Sequence, residues 1–209
     1  MLITQILEAS RSRCRIYLDG QFAFVLYKGE LHQFHIVEGQ ELPAESYREI
    51  SSVLLPKRAK LRCMNLLRSK DYTRKQLQDK LAQGEYPQAC IDEAIAYVES
   101  FGYLDDLRYA RDYIEYHMDS RSRGRMEMDL MRKGIDRDLI GQAFEELDER
   151  GVAQDETGMI RELLNKKKYC AETATKQEQQ RMYGFLYRRG FQADKIAREL
   201  KTCKKDCLT

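Results

Sequence analysis

The sequence predicts a mostly helical protein: three tandem three-helix units forming an elongated, curved array, behind a small N-terminal β-hairpin or three-stranded extension. Three observations carry this expectation. Apolar residues alternate through the first 27 positions around an Asp19-Gly20 pair. Only Pro87 follows Pro56, so the rest of the 209-residue chain has almost nothing to interrupt a helix. An apolar pattern also returns three times, in register, between residues 57 and 208.

The elements follow in order. Cys14, Ile16 and Leu18 alternate on one side of Asp19-Gly20, and Phe22, Phe24 and Leu26 on the other. Asp-Gly between two alternating runs is a two-residue hairpin signal, so 13–18 and 21–27 are strands. Leu2, Ile3, Ile6 and Leu7 suggest a third strand over 4–9. A hairpin alone is marginal in water, and this strand or a helix must cover it. Residues 28–32 form a helical turn, and Pro43 opens a helix over 44–54.

The repeat takes Tyr86, Ile135 and Phe191 as origins. Nine residues earlier stand Leu77, Met126 and Met182, and five earlier Leu81, Leu130 and Leu186. Five later stand Ile91, Ile140 and Ile196, and nine later Ile95, Phe144 and Leu200. A spacing of four on each flank is one face of a helix. Gly84, Gly134 and Gly190 fall between the flanks, as left-handed caps would. Each origin therefore joins two helices: 73–83 with 87–101, 124–133 with 137–147, and 177–189 with 192–201. A further periodic stretch precedes each pair, at 59–69, 105–118 and 156–167. Thr73 and Ser122 stand where side-chain caps belong. The resulting domains are 1–56 (extension), 57–104, 105–150 and 151–209. Such stacked units present a long surface and no deep pocket.

Composition narrows the function. No apolar run approaches the ~20 residues of a membrane span, and the opening segment lacks the basic-then-apolar order of a signal peptide. A cytoplasmic protein with reduced thiols is expected. Cys14, Cys63, Cys90, Cys170, Cys203 and Cys207 show no paired C-x-x-C spacing, and His32 and His35 have no supporting ligands, so no metal is expected. Phosphate loops, nucleophile elbows and dinucleotide fingerprints are missing from the sequence. The expectation is a binding protein with no catalytic residues, no cofactor and no membrane contact.

The net charge of +2 hides an alternation: the four segments carry −2, +3, −4 and +5. Basic residues gather on the second helix of each unit: Arg74, Lys75 and Lys80; Arg121, Arg123, Arg125, Arg132 and Lys133; Arg188 and Arg189. These are the candidate partner or nucleic-acid contacts. Cations at helix C-termini complement the dipole by ~0.3–1 kcal/mol each, which accounts for Arg132, Lys133, Arg188, Arg189 and the run Lys166, Lys167, Lys168. Arg74, Arg121, Arg123 and Arg125 stand at helix starts, where positive charge is unfavourable. They ask for a phosphate or a protein acid. The loop 119–124 is polar throughout, so Arg121, Arg123 and Arg125 are expected to be dispensable for folding. Tyr109, Tyr113 and Tyr116 share a helical face that suits core packing.

Particular runs then resemble the RecX regulatory family: Arg58-Ala59-Lys60, Asp71-Tyr72-Thr73-Arg74, Gly102-Tyr103-Leu104-Asp105-Asp106 with Arg108-Tyr109-Ala110, Ser122-Arg123-Gly124 and Lys133-Gly134-Ile135. The match is strong over 57–150 and extends by the repeat; the N-terminus looks like the extension some members carry. The resemblance implies a protein that binds the RecA filament and inhibits its recombinase and coprotease activities; a monomer that also touches a single- or double-stranded DNA backbone is expected. In the run 102–106, Gly102 suits a helix end, Asp105 a cap, and Tyr103 and Leu104 a packed joint. The residues alone leave two alternatives open: a DNA-binding repeat protein without a recombinase partner, and a protein-only scaffold.

Overall fold

The computed structural model describes residues 1–202; Cys203, Cys207 and the last apolar position, Leu208, lie outside the described residues. The chain forms two compact units, Met1–Asp105 and the part from Asp106 onward.

The first unit opens with an antiparallel meander of β1 (Ile3–Ser10), β2 (Arg13–Leu18) and β3 (Gln21–Tyr27). Asp19 and Gly20 both take positive φ, 48° and 81°, as the two-residue turn requires. Strand pairing turns Cys14, Ile16 and Leu18 inward beside Ile3, Phe24 and Leu26. Helix α1 (Lys28–Gln33) follows, then α2 (Ala44–Glu49). The sequence places a helix end before Pro56, yet the chain stays helical to Leu67. A π-helical turn, Ile50–Leu54, carries α2 into α3 (Leu55–Leu67), and the Leu55 amide donates to the Ile50 carbonyl five residues back. Pro56 has no N–H and would crowd the carbonyl four residues earlier; the wider turn relieves this without a break.

Helices α4 (Arg74–Gln83) and α5 (Gln88–Ser100) complete the first bundle. One continuous core joins the sheet to it, from Ile3, Ile16 and Phe24 through Leu55 and Ala59 to Leu77, Ile95 and Leu104. Arg58 stitches the two parts. It donates to Glu30 at 2.8 Å and to the Val25 carbonyl at 2.6 Å, and lies over the rings of Tyr27 and Tyr86. Of the expected joint, Leu104 is buried in this core, whereas Tyr103 is exposed and stacks on Phe101.

The second unit holds two three-helix bundles: α6 (Asp106–His117), α7 (Arg123–Arg132) and α8 (Arg137–Glu149), then α9 (Glu156–Lys166), α10 (Lys176–Tyr187) and α11 (Ala193–Thr202). Each has its own core, one around Met126, Leu130, Ile140 and Phe144, the other around Ile160, Leu186, Phe191 and Ile196.

All three repeats close the same way. The amide of the origin residue donates to the carbonyl of the leucine five residues back: Tyr86 to Leu81 at 3.3 Å, Ile135 to Leu130 at 3.2 Å, Phe191 to Leu186 at 3.4 Å. This is the Schellman closure, with the apolar contact that accompanies it. Of the repeat positions only Tyr86 and Met182 are less than fully buried. Gly134 and Gly190 take the left-handed position at φ 86°, but Gly84 does not: Glu85, at φ 59°, stands there instead. The residue directly before the origin must be left-handed, and in the first unit that is the glutamate. Its carboxylate receives Arg15 of the sheet at 2.6 Å.

Candidate functional site

The candidate cations separate in space. Arg74, Lys75 and Lys80 belong to α4 of the first unit. Arg74 opens the helix and reaches Glu99 on α5 at 2.5 Å, Lys75 pairs with Asp79 at 2.6 Å, and Lys80 is exposed. The helix start that should repel Arg74 is offset by this acid on the neighbouring helix, and by the capping box of Thr73 with Gln76.

Around the start of α7 the three arginines also have partners. Asp129, in the second turn of the helix, accepts Arg121 at 2.8 Å and Arg125 at 3.2 Å, with Arg132 at 3.7 Å. Arg123 pairs with Glu127 and lies 4.2 Å from the centre of the Phe144 ring. The acid that these cations ask for is thus supplied within the chain, by Asp129 and Glu127. The spacing of four from Arg125 to Asp129 and from Arg123 to Glu127 puts acid and base on one face. The acids near the end of α8 do not serve these arginines; Glu146 pairs with Arg111 at 2.5 Å, which with Gln142 holds its carboxyl below the usual range.

Tyr113 completes the Arg121 cluster, its hydroxyl 2.5 Å from Arg121 and 3.3 Å from Asp129. Burial, then the Asp129 charge, pushes this hydroxyl above its ordinary value, and Arg121 pulls the other way. Lys133 lies over the Tyr109 and Tyr113 rings. Tyr116, the last of the expected tyrosine face, is 83% exposed.

Ser122 locks the second bundle to the third. Its buried hydroxyl caps α7 by accepting from the Arg125 amide, and donates to the Arg189 carbonyl at 2.5 Å. Gly124 lies so close to the turn after α10 that a Cβ on it would sit 2.5 Å from the Gly190 carbonyl oxygen. Beside this contact Glu156, only 2% exposed, accepts from the Arg123 amide and from Lys195, both at 2.8 Å. Gln154 donates to the carbonyls of Met118 and Arg121. The run Ser122-Arg123-Gly124 is thus the joint between two bundles.

A groove of about 570 Å³ opens along this joint. Arg121 and Arg125 line it from the second bundle, and Arg188, Arg189 and Lys166 at the end of α9 from the third. Met159, Leu163 and Phe191 give it an apolar floor, and Asp119 and Glu162 are its acids. Arg188 is exposed and makes no ion pair among the described residues. The Lys166 contact to Glu162 spans 3.4 Å between exposed groups and holds little energy. The groove thus gathers four of the candidates, Arg121, Arg125, Arg188 and Arg189. Arg123, Arg132 and Lys133 lie outside its lining, and Arg74, Lys75 and Lys80 belong to the other unit. Lys166 was readable only as a helix-terminal cation, and Asp129 only by its spacing from the arginines. Among the described residues no group of three or more His, Cys, Asp or Glu could hold a metal ion, and no helix is long and apolar enough to cross a membrane.

Comparison with known proteins follows the same three-bundle division. Family models for the first, second and third three-helix domains of RecX match residues 59–97, 105–143 and 154–200. The chain belongs to the RecX family. A relative named regulatory protein RecX, from Caldanaerobacter subterraneus subsp. tengcongensis, is 30% identical over 202 residues, covering 96% of this chain and 98% of the relative. One of the same name from Clostridioides difficile is 28% identical, covering 95% and 94%. The crystal structure of a regulatory protein RecX shares the fold at a TM-score of 0.61 and 21% identity, covering 96% of this chain and 98% of that one. RecX from Lactobacillus salivarius does so at 0.57 and 20% identity, over 69% of this chain and 93% of that one. Membership of a family of regulatory proteins gives this RecX chain a regulatory role, and the groove at the Ser122-Arg123-Gly124 joint is its candidate contact.

Proposed function

We propose that this chain is a non-enzymatic, cytoplasmic and monomeric regulator that binds the RecA nucleoprotein filament. There it lowers ATP hydrolysis, strand exchange and coprotease activity in recombination, DNA repair and the SOS response. RecA enters through the family resemblance. The observation that supports the reading is the convergence of Arg121, Arg125, Arg188 and Arg189, from two successive bundles, on one groove whose walls are fixed by Ser122 and Gly124. Arg121 and Arg125, held by Asp129, lose little freedom on meeting an acidic or phosphate surface, so their attraction goes into affinity and orientation.

The test is RecA ATPase on single-stranded DNA, with this protein added below the RecA concentration. A fall in rate is expected; no effect from confirmed folded protein rejects the reading.

A second reading, direct binding of a DNA backbone without a recombinase, has one observation in its favour. Lys167 and Arg189 both lie over the Phe185 ring, and Tyr183 stacks on the exposed Tyr187. Basic and aromatic groups so interleaved suit a nucleic-acid strand. The sequence pI of 8.1 is below the >9 typical of dedicated binders. Titration with DNA at two salt concentrations in the absence of RecA separates the readings, since tight, steeply salt-dependent binding belongs to the second.

A further inference from the structure

We propose that the groove between the second and third bundles takes an acidic peptide segment of a partner protein, anchored by one bulky apolar side chain, rather than a nucleic-acid backbone. This deepens the functional reading above and rests on it for the identity of the partner, though not for the chemistry of the groove.

Two features of the groove set that chemistry. Cations from both bundles line the groove: Arg121 and Arg125 from the second, and Lys166, Arg188 and Arg189 from the third. Its floor is apolar, made of Met159 and Leu163, both half-buried, over the buried Phe191. A sugar–phosphate strand satisfies the cations but brings nothing to fill the floor. Its bases need an exposed ring to stack on, and the groove's one aromatic, Phe191, is 4% exposed. A peptide with carboxylates flanking a Phe, Leu or Met satisfies both, the carboxylates meeting the guanidinium forks and the apolar group displacing water from the floor.

The groove is also built to keep its width. Ser122 bonds across to the Arg189 carbonyl, and Gly124 meets Gly190 backbone to backbone. Asp129 aims Arg121 and Arg125 from behind while itself standing outside the groove lining. A guanidinium held by one acid keeps further N–H donors for a second, so the Asp129 pairs orient these arginines without exhausting them.

The experiment is a fluorescence-anisotropy titration of the full chain with three labelled probes: a short Asp/Glu peptide with one central Phe, the same peptide with that Phe replaced by Ser, and a short oligothymidine. The Phe peptide should bind, and loss of its anchor should weaken binding roughly tenfold or more. The double variant Lys166→Glu, Arg188→Glu changes two exposed side chains and should weaken the Phe peptide by at least about tenfold. Equal binding of the Phe and Ser peptides overturns the role of the floor. Oligothymidine binding that the double variant abolishes, with no peptide binding, overturns the proposal in favour of a nucleic-acid groove. If neither peptide binds while the wild-type chain still lowers RecA ATPase, the groove proposal fails and the functional reading survives. If the Phe peptide binds as expected and RecA ATPase is untouched, the groove proposal stands and the functional reading fails.

Discussion

Ser122 and Arg189, 67 residues apart, are joined by a 2.5 Å hydrogen bond from the serine hydroxyl to the arginine main-chain carbonyl. The same hydroxyl accepts from the Arg125 amide and so caps α7. One buried side chain therefore begins a helix of the second bundle and holds the turn that follows α10 in the third.

Because both roles fall on one oxygen, Ser122→Ala should destabilise the second unit by about 1–3 kcal/mol, more than an ordinary lost cap. Ser122→Asp keeps an acceptor for the Arg125 amide but sets a carboxylate oxygen against the Arg189 carbonyl, so it should stay clearly less stable than wild type. Thermal melting of the three proteins checks this. Equal stability of the aspartate variant and wild type would show that the bond to Arg189 contributes nothing.

Gly124→Ala places a methyl 2.5 Å from the Gly190 carbonyl oxygen, where backbone must move. A loss of about 1–3 kcal/mol is expected. Gly141→Ala supplies the control: its Cβ meets nothing within 4 Å in the interior of α8, and alanine is the better helix former by ~1 kcal/mol. The two substitutions should shift the melting temperature in opposite directions. Parallel shifts would mean that Gly124 is not a close-packed position.

Replacing Arg121, Arg123 and Arg125 together by Ala should cost stability, against what their place in the sequence suggests. The triple change leaves Asp129, 11% exposed, without its two closest cations, and strips Arg123 from the Phe144 ring. A loss of about 1–3 kcal/mol is expected in urea denaturation. Adding Asp129→Asn should restore part of it by removing the stranded charge. If the triple variant matches wild type, these ion pairs are too solvated to matter.

His117 supplies a pH dependence. Burial first, then Arg121 and Lys133, push its imidazole below 6.5, while Asp129 pulls it back; the rings of Tyr113 and Tyr116 pack against it. The unfolded chain then takes up a proton at higher pH than the folded one. Its contribution to stability is complete above about 6.5 and declines as pH falls towards the lowered folded value. The stability difference between wild type and His117→Asn, followed by denaturation across that range, should shift against wild type on acidification. A difference that stays constant with pH refutes the assignment.

What the sequence reveals and what it hides have a common cause. Strands and helices were legible because their signals are local: the Asp19-Gly20 turn, and the leucines and isoleucines spaced at four around Tyr86, Ile135 and Phe191. The π turn before Pro56 was not, because proline marks a helix start and a tolerated interruption alike. Gly84 misled for a similar reason, since the left-handed requirement belongs to the residue before the origin and Glu85 met it. At the site, the cations of the groove stand out by charge, but their grouping does not. Arg121 and Arg188 are far apart in the chain and meet only because Ser122 and Gly124 dock one bundle on the next. Asp129 lay within sight at a spacing of four from Arg125; reading that spacing as an ion pair would have found it.

The central claim is that this groove makes the chain a regulator. Its most direct test is the rate of RecA ATP hydrolysis on single-stranded DNA, with wild type and with the Lys166→Glu, Arg188→Glu double variant added at equal concentration. Both substitutions fall on exposed side chains, and unchanged melting temperature confirms that the fold is kept. Wild type should depress the rate, and the variant should require at least about tenfold more protein for the same effect. A folded variant that depresses the rate as strongly as wild type would contradict the account.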